Sequence, residues 1–299
     1  MIHNQLDNNI KKLMDKLAFP QNAQDEILLS LDKVQKDGIA SKEFDVILSL
    51  YDETELCDYI TMLERFKTVC ERIGIHEYTA NMLLYLALGE KLKERYVDRG
   101  IDLAIFYATL MDLTYKLEEC RLVYGIVGSF TKNWFQGFYQ LKRFALGRLQ
   151  FEIRQCELDC DINGTHIQKG TKLINMHIPR TGGRLDHDEV LKSYDLAAKF
   201  FEKDLDGDII FHCNSWLLDP FHSTVLSSES NMMKFINDFV IVEKGLAEGY
   251  GSVWRLFDKM YDGDADKLPA DSSLRRAYIK RIKNGEQLGW ARGLLIYNK

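Results

Sequence analysis

One discontinuity constrains this chain more than any other feature: the period of its hydrophobic repeat changes near Gly147. Before that point apolar residues recur at spacings of three and four. In "ETELCDYITMLERFKTVCERIG" the residues Leu56, Ile60, Leu63, Phe66, Cys70 and Ile73 fall on one helical stripe, and Gly74 supplies a stop. From His76 to Tyr96, Met82, Leu83, Leu86 and Leu92 share one side. Ile101 to Leu117 is apolar almost all round, which predicts a helix central to its bundle. Trp134, Phe138, Leu141 and Ala145 form one more helical stripe, and strand signal is almost absent.

After Gly147 the grammar is that of strands. "LQFEIRQCELDCDI" alternates with period two through Leu149, Phe151 and Ile153, then through Cys156, Leu158, Cys160 and Ile162. The phase slips at Arg154–Gln155, as a β-bulge or a strand break requires. Asn163-Gly164 is a hairpin turn, and "KLINMHIP" is a second strand closed by Pro179. Asp186 and Glu189 have capping-box spacing ahead of a helix that turns Val190, Tyr194, Ala197, Ala198 and Phe201 inwards. "DIIFHCNSW" and "DFVIVEKG" are further strands, with a short helix around Asn231–Asn237 between them. Helices over Ser252–Met260 and about Asp271–Lys283 precede a last strand, "ARGLLIYNK". The fold class is therefore α+β, with an all-helical domain over residues 1–145 and a domain of strands and helices over 146–299.

Composition narrows the partners. A net charge of −6 weighs against a general nucleic-acid binder. No run approaches the roughly 18 to 20 apolar residues of a membrane span, and the mixed-charge start lacks the apolar core of a secretory leader. Six scattered cysteines read as reduced thiols, so the expected location is the cytoplasm.

The stretch "FHCNSWLLDP", Phe211 to Pro220, gathers polar residues around a tryptophan. His212 and Cys213 are neighbours on a predicted strand and point to opposite faces, so they are no nucleophile–base pair. A cysteine-dependent hydrolase built on Cys213 would have to borrow His177 or His222. Asn214 and Ser215, at the strand's carboxyl end, either reach a ligand in a crevice or cap the strand end. Cys156, Cys160, His166 and His177 superficially resemble a zinc set. On one strand, however, Cys156 and Cys160 would lie roughly 14 Å apart, so core cysteine is preferred unless the strand breaks between them. "DLDGD" and "DGDAD" lack the glycine and glutamate of a calcium loop, and no metal is expected.

"RTGGR" joins a strand to a helix. Backbone amides at Gly182 and Gly183 can hold a phosphate there, and Arg180 and Arg184 can add charge-assisted bonds. Asp186, Asp188 and Glu189 would repel an anion and serve equally as ordinary caps. The basic segment "RRAYIKRIK" reads as a solvated helix face.

"LGRLQFE" (Leu146–Glu152), "HIP" (His177–Pro179) ahead of a helix, "NSWLLDP" (Asn214–Pro220) and "ESNMMKFINDF" (Glu229–Phe239) occur in that order over Leu146–Val242. In order and spacing they resemble bacterial acyltransferase-domain proteins, which join a helical N-terminal domain to a GNAT-like C-terminal domain. The resemblance implies a GNAT-like mixed sheet flanked by helices, acetyl-CoA or another acyl-CoA as donor, and an amine or peptide acceptor. In GNAT folds the strand–turn–helix holds the coenzyme pyrophosphate through an Arg/Gln-x-x-Gly-x-Gly/Ala loop. "RTGGR" takes that place with a different spacing, and Asn214 stands where such proteins tend to carry histidine. On this reading His177 is the base, Ser215 protonates the leaving thiolate beside Asn214, and Arg180, Gly182, Gly183 and Arg184 bind the coenzyme. A His177 satisfied in the core is the structural alternative. The competing function is a non-catalytic GNAT-like module that has lost acyl-CoA binding and holds a ligand or partner.

Overall fold

The structure, a computed structural model, describes residues 2–53, 58–181 and 183–297. Leu56 of the first helical stripe and Gly182 of the glycine pair therefore lie outside the described residues. The chain forms two units, Met1–Phe144 and Ala145–Lys299.

The first unit contains helices α1 (Ile2–Lys16), α2 (Gln21–Lys36), α3 (Gly38–Glu53), α4 (Tyr59–Arg72), α5 (Glu77–Ala87), α6 (Gly89–Asp98), α7 (Leu103–Tyr124) and the single turn α8 (Gln136–Tyr139). Side-chain caps satisfy the first amides of several of them. Asp58 accepts from Ile60 and Thr61 at 3.1 Å, and Asp102 accepts from Ala104 at 2.8 Å. A left-handed Gly125 closes α7.

The structure corrects three helical expectations. The stretch from His76 to Tyr96 is two helices, which meet at Leu88–Gly89. A Cβ on Gly89 would lie 2.3 Å from Leu13 Cδ2, so the missing side chain is what lets α1 pack against the backbone there. The central helix is α5, buried at every position from Thr79 to Ala87, whereas α7 lays one face against the bundle and leaves the other partly open. The stripe Trp134–Ala145 is a 3-10 turn (Lys132–Phe135) followed by α8. Leu141 then takes a left-handed conformation (φ 54°), and Ala145 belongs to a strand.

The second unit carries β1 (Arg143–Leu146), which begins two residues before the boundary, then β2 (Leu149–Gln155), β3 (Cys160–Ile162), β4 (Thr165–Ile167) and β5 (Lys172–His177). Helix α9 (His187–Phe200), β6 (Ile209–Ser215), α10 (Asn231–Asn237) and β7 (Val240–Leu246) follow. The chain closes with α11 (Trp254–Phe257), α12 (Ser273–Lys283) and β8 (Gly289–Tyr297). The six-stranded sheet has the order β1-β2-β5-β6-β8-β7, and β3-β4 is a separate hairpin turning at left-handed Asn163 and Gly164. Strand β5 runs antiparallel to β2 and parallel to β6, while β8 is antiparallel to both β6 and β7. The predicted phase slip is a strand break: β2 ends at Gln155 and β3 starts at Cys160.

Helix α9 covers one face of this sheet. The Tyr194 ring lies 5.0 Å from Phe211, tilted by 34°, and Phe211 in turn lies 5.8 Å from Phe151. Asp186 caps the helix as its spacing predicted, accepting from Asp188 and Glu189. Gly147, with φ +72°, brings the β1–β2 turn so close that a Cβ would sit 2.6 Å from Ser193 Oγ, which accepts the Arg148 N–H at 2.8 Å. Only glycine meets both demands. Among the described residues no helix is long and apolar enough to cross a membrane.

Candidate active site

The other face of the sheet is polar along its middle. Opposed residues on paired strands share a face, so the register Glu152↔Asn175↔His212 draws a polar row across β2, β5 and β6, and Gln150↔His177 starts the next row. The apolar partners in the same strands, Phe151, Met176 and Phe211, point the opposite way and form core. Period-two folding thus sorts each strand into a core edge and a chemical edge.

Hydrogen bonds join the row. Glu152 Oε1 lies 2.9 Å from His177 Nε2 and accepts from Asn175 Nδ2 at 3.1 Å and from Arg154 Nε at 2.8 Å. Asn175 Nδ2 is also 3.0 Å from His177 Nε2, and Asn175 Oδ1 is 2.6 Å from His212 Nδ1. Glu152 and Asn175 are buried, at 7% and 4% exposure. A carboxylate that far from water keeps its charge only with such partners. Burial, aided by the Arg292 guanidinium, pushes His212 down to about 4, so it is neutral at physiological pH.

This row floors a cavity of about 180 Å³ lined by His177, His212, Asn214, Arg154 and Arg292, with Leu173, Val242 and Leu294 among its apolar walls. Arg292 donates to Glu157 at 2.8 Å and lies 3.4 Å from Glu243. The paired register of β5 with β6 covers only Ile174↔Phe211 and Asn175↔His212, although β5 runs on to His177 and β6 to Ser215. The two strands therefore part at the level of His177 and Asn214, beside the cavity.

The structure brings His177 and exposed Asn214 together on this cavity. Ser215 falls on the α9-facing side with Phe211 and Cys213, and its Oγ accepts the Leu217 N–H at 3.1 Å as the cap of a 3-10 turn. In the β5–α9 connection Arg180 is ion-paired with Asp258, whose other oxygen accepts from Arg275 at 2.7 Å. The Gly183 N–H turns towards Thr181 Oγ1 at 3.4 Å, and Arg184 is exposed. The helix itself starts only at His187, so Gly183 precedes its first turn. Arg184 and the open backbone at Gly183, where a Cβ would meet nothing nearer than Thr181 Oγ1 at 3.6 Å, suit the approach of a phosphate.

Cys213 is fully buried, and burial pushes its thiol up to about 12. A thiol held so far from ionisation is no nucleophile. Cys156 and Cys160 do approach one another across the strand break, but His166 pairs instead with Asp161 at 2.8 Å. No group of three or more His, Cys, Asp or Glu residues able to hold a metal occurs among the described residues.

A second polar network lies in the same unit. Asp219 Oδ2 accepts from Tyr278 Oη at 3.0 Å, Arg281 Nη1 at 3.2 Å and the Gly289 N–H at 3.1 Å, while Oδ1 accepts from the Phe221 N–H at 3.0 Å. Tyr278 Oη is also 3.0 Å from His222 Nε2, and His222 Nδ1 is 3.1 Å from the Leu217 carbonyl. A Cβ on Gly289 would come within 2.3 Å of Asp219 Oδ2, so glycine is required beside the carboxylate. His222 and Tyr278 are wholly buried.

Sequence reasoning picked out His177 and Asn214 but missed Glu152, Asn175, His212, Arg154 and Arg292 as site residues. The signal was present for two of them: Glu152 and Asn175 are polar members of strands with apolar neighbours on either side, which marks a polar face.

The chain thus joins a helical bundle to a mixed sheet with a histidine-lined cavity where a parallel strand pair opens. Residues 8–141 match the N-acyltransferase N-terminal domain and residues 143–295 the GNAT-like C-terminal domain, and the chain belongs to this family. No curated protein matches it. Solved acyltransferase structures share its fold. An acyltransferase mutant in complex with octanoyl-CoA is 21% identical with a TM-score of 0.74, over 97% of this chain and 88% of the other. An acyltransferase in complex with decanoyl-CoA and teicoplanin is 21% identical with a TM-score of 0.71, over 96% and 87%. One with CoA and 10C-teicoplanin is 19% identical with a TM-score of 0.70, over 96% and 87%.

Proposed function

We propose that this protein is a CoA-dependent N-acyltransferase in which His177 is the base. The observation that carries the reading is the placement of His177, bonded to the buried Glu152 carboxylate, at the point where β5 and β6 part beside a cavity. Family membership and the acyl-CoA complexes of the similar structures support it.

The amine nitrogen attacks the thioester carbonyl carbon, a C–N bond forms, and the C–S bond breaks on collapse. The amine's surplus proton passes to His177, and the departing thiolate takes up a proton. Such chemistry needs a positioned base and donors near the developing oxyanion rather than a covalent enzyme intermediate. Asn214, on the same cavity, is placed to donate to substrate. The proton that His177 has taken passes on to the departing thiolate, because Ser215, the donor expected from the sequence, faces α9 and caps a 3-10 turn instead. Arg184 and the Gly182–Gly183 backbone would hold the coenzyme phosphates, joined by Arg180 once it exchanges Asp258 for phosphate. Since a similar acyltransferase was solved with a glycopeptide, a small-molecule or peptide-like amine is the acceptor class we favour.

Calorimetric titration with acetyl-CoA, octanoyl-CoA and free CoA tests the first half of this reading. Binding weakened by Arg184→Ala supports it, and thiol release upon adding amines then completes it. The ion pair that occupies Arg180 favours a second reading, a GNAT-like module without its coenzyme. Absence of heat and of any thermal shift at millimolar coenzyme would leave that reading in place.

A further inference from the structure

Once the carboxylate is placed, each hydrogen bond that reaches it has one workable direction. The 3.0 Å approach of Asn175 Nδ2 to His177 Nε2 is then two donors converging on Glu152 Oε1, not a bond between them. A carboxylate oxygen and an amide oxygen only accept. A bare His177 Nε2 held 2.9 Å from Glu152 Oε1 would set two lone pairs against each other, so Nε2 carries the hydrogen and Nδ1 is the unprotonated nitrogen of neutral His177. The same carboxylate orients Asn175. With Nδ2 turned to Glu152 at 3.1 Å, Oδ1 must face His212 Nδ1 at 2.6 Å, and that nitrogen must carry its hydrogen. The reverse amide would press Oδ1 against the carboxylate.

We propose that Glu152 is the positioning residue of the site. By one buried carboxylate it holds the two histidines in opposite tautomers, His177 as Nε2–H with a basic Nδ1, and His212 as Nδ1–H with an accepting Nε2. The sheet register enforces the chain of command, since Glu152, Asn175 and His212 are cross-strand partners on β2, β5 and β6. The charged and titratable groups around His177 are Glu152 and Arg154 on β2, Glu157 beyond its end, His212 on β6 and Arg292 on β8. Among them Glu152 contacts the ring directly, at 2.9 Å from Nε2. Its negative charge also stabilises the imidazolium that forms when His177 takes a proton. The role in catalysis rests on the acyl-transfer reading above, whereas the tautomers do not.

The test pairs a spectroscopic readout with a kinetic one. In protein carrying 15N-histidine, long-range proton–nitrogen correlation spectra at pH 7.5 distinguish protonated from bare ring nitrogens, with His177→Gln and His212→Gln giving the assignments. The wild type should show Nε2–H for His177 and Nδ1–H for His212. Glu152→Gln should mix or invert both, and Asn175→Ala should change His212 alone. A bare Nε2 on His177 in the wild type, or tautomers unmoved by Glu152→Gln, overturns the proposal. In kinetics Glu152→Gln should lower the plateau of kcat/KM about 10- to 100-fold and move the acid limb of its pH profile down by about one unit or more. Glu152→Asp should recover part of both. A residue that merely braced the fold would lower Tm and leave the acid limb in place, which also overturns the proposal. If the wild type turns over no acyl-CoA, the transferase reading falls, and the tautomer spectra still decide the role of Glu152.

Discussion

Two buried histidine–carboxylate networks share one unit of this protein and serve opposite ends. Around Asp219 every bond closes on a neighbour: Tyr278, Arg281 and two backbone amides converge on the carboxylate, and His222 is sealed against a backbone carbonyl. Around Glu152 the chain of bonds runs to His177 and His212, which both line a cavity. The residue types are nearly the same. What separates a strut from the proposed active site is whether the last imidazole meets protein or open space.

Substitutions should separate the two networks most sharply. His177→Gln should cut kcat/KM for acyl transfer by about 10²- to 10⁴-fold at pH 7.5 with little change in unfolding midpoint. Asp219→Ala should do the reverse. It removes the acceptor shared by Tyr278, Arg281 and two backbone N–H groups, although Arg281 keeps Glu286 and Tyr278 keeps His222. Chemical denaturation should therefore report a loss of about 1–3 kcal/mol, while turnover per folded molecule stays near wild type. Equal losses of activity and stability in either variant would erase the distinction.

Acid sharpens the comparison further. His212 lies near 4 in the folded protein against 6.5 in the unfolded chain, chiefly because burial disfavours its charge. Below about pH 6.5 the unfolded state therefore takes a proton that the folded state refuses, and stability falls as pH drops towards 4. The full window is worth roughly 3 kcal/mol, visible in urea midpoints at pH 7, 5.5 and 4.5. His222 is lowered by burial as well, so His212→Gln should flatten the slope only in part. The smallest effect is expected at Cys213. Iodoacetamide should leave it unmodified at pH 7.5, and Cys213→Ala should keep full activity for a stability cost of about 1 kcal/mol. Inactivation by that reagent through Cys213 would revive the hydrolase reading.

Much of this architecture was legible in the chain. The change of period near Gly147 locates the passage from helix to sheet to within one strand, since β1 already runs over Arg143–Leu146, and Asp186 announces α9 to the residue. Short-range chemistry of this kind is written locally. The misreadings have tertiary causes. Trp134, Phe138 and Leu141 fit a helical stripe, but Trp134 Nε1 is drawn to buried Asp112 at 2.7 Å and the backbone reverses at Leu141. The central place of α5 over α7 depends on which helices surround it, and periodicity reports only how apolar a helix is. The site was half visible for the same reason. His177 and Asn214 stand at strand ends, where ligands gather, while the pairing of Asn175 with His212 joins residues 37 apart across a parallel crossover. No local pattern specifies such a neighbour.

The row Glu152–Asn175–His212 also makes the proposed reaction a proofreading mark for the sheet. One inserted residue within β5 would carry Asn175 and His177 to the α9 side and Ile174 and Met176 to the cavity, exchanging grease for chemistry at a stroke. The β3–β4 hairpin, paired only with itself, can lengthen or shorten without that penalty. Variation in this protein should accordingly find free room in the hairpin and very little in the strand beside it.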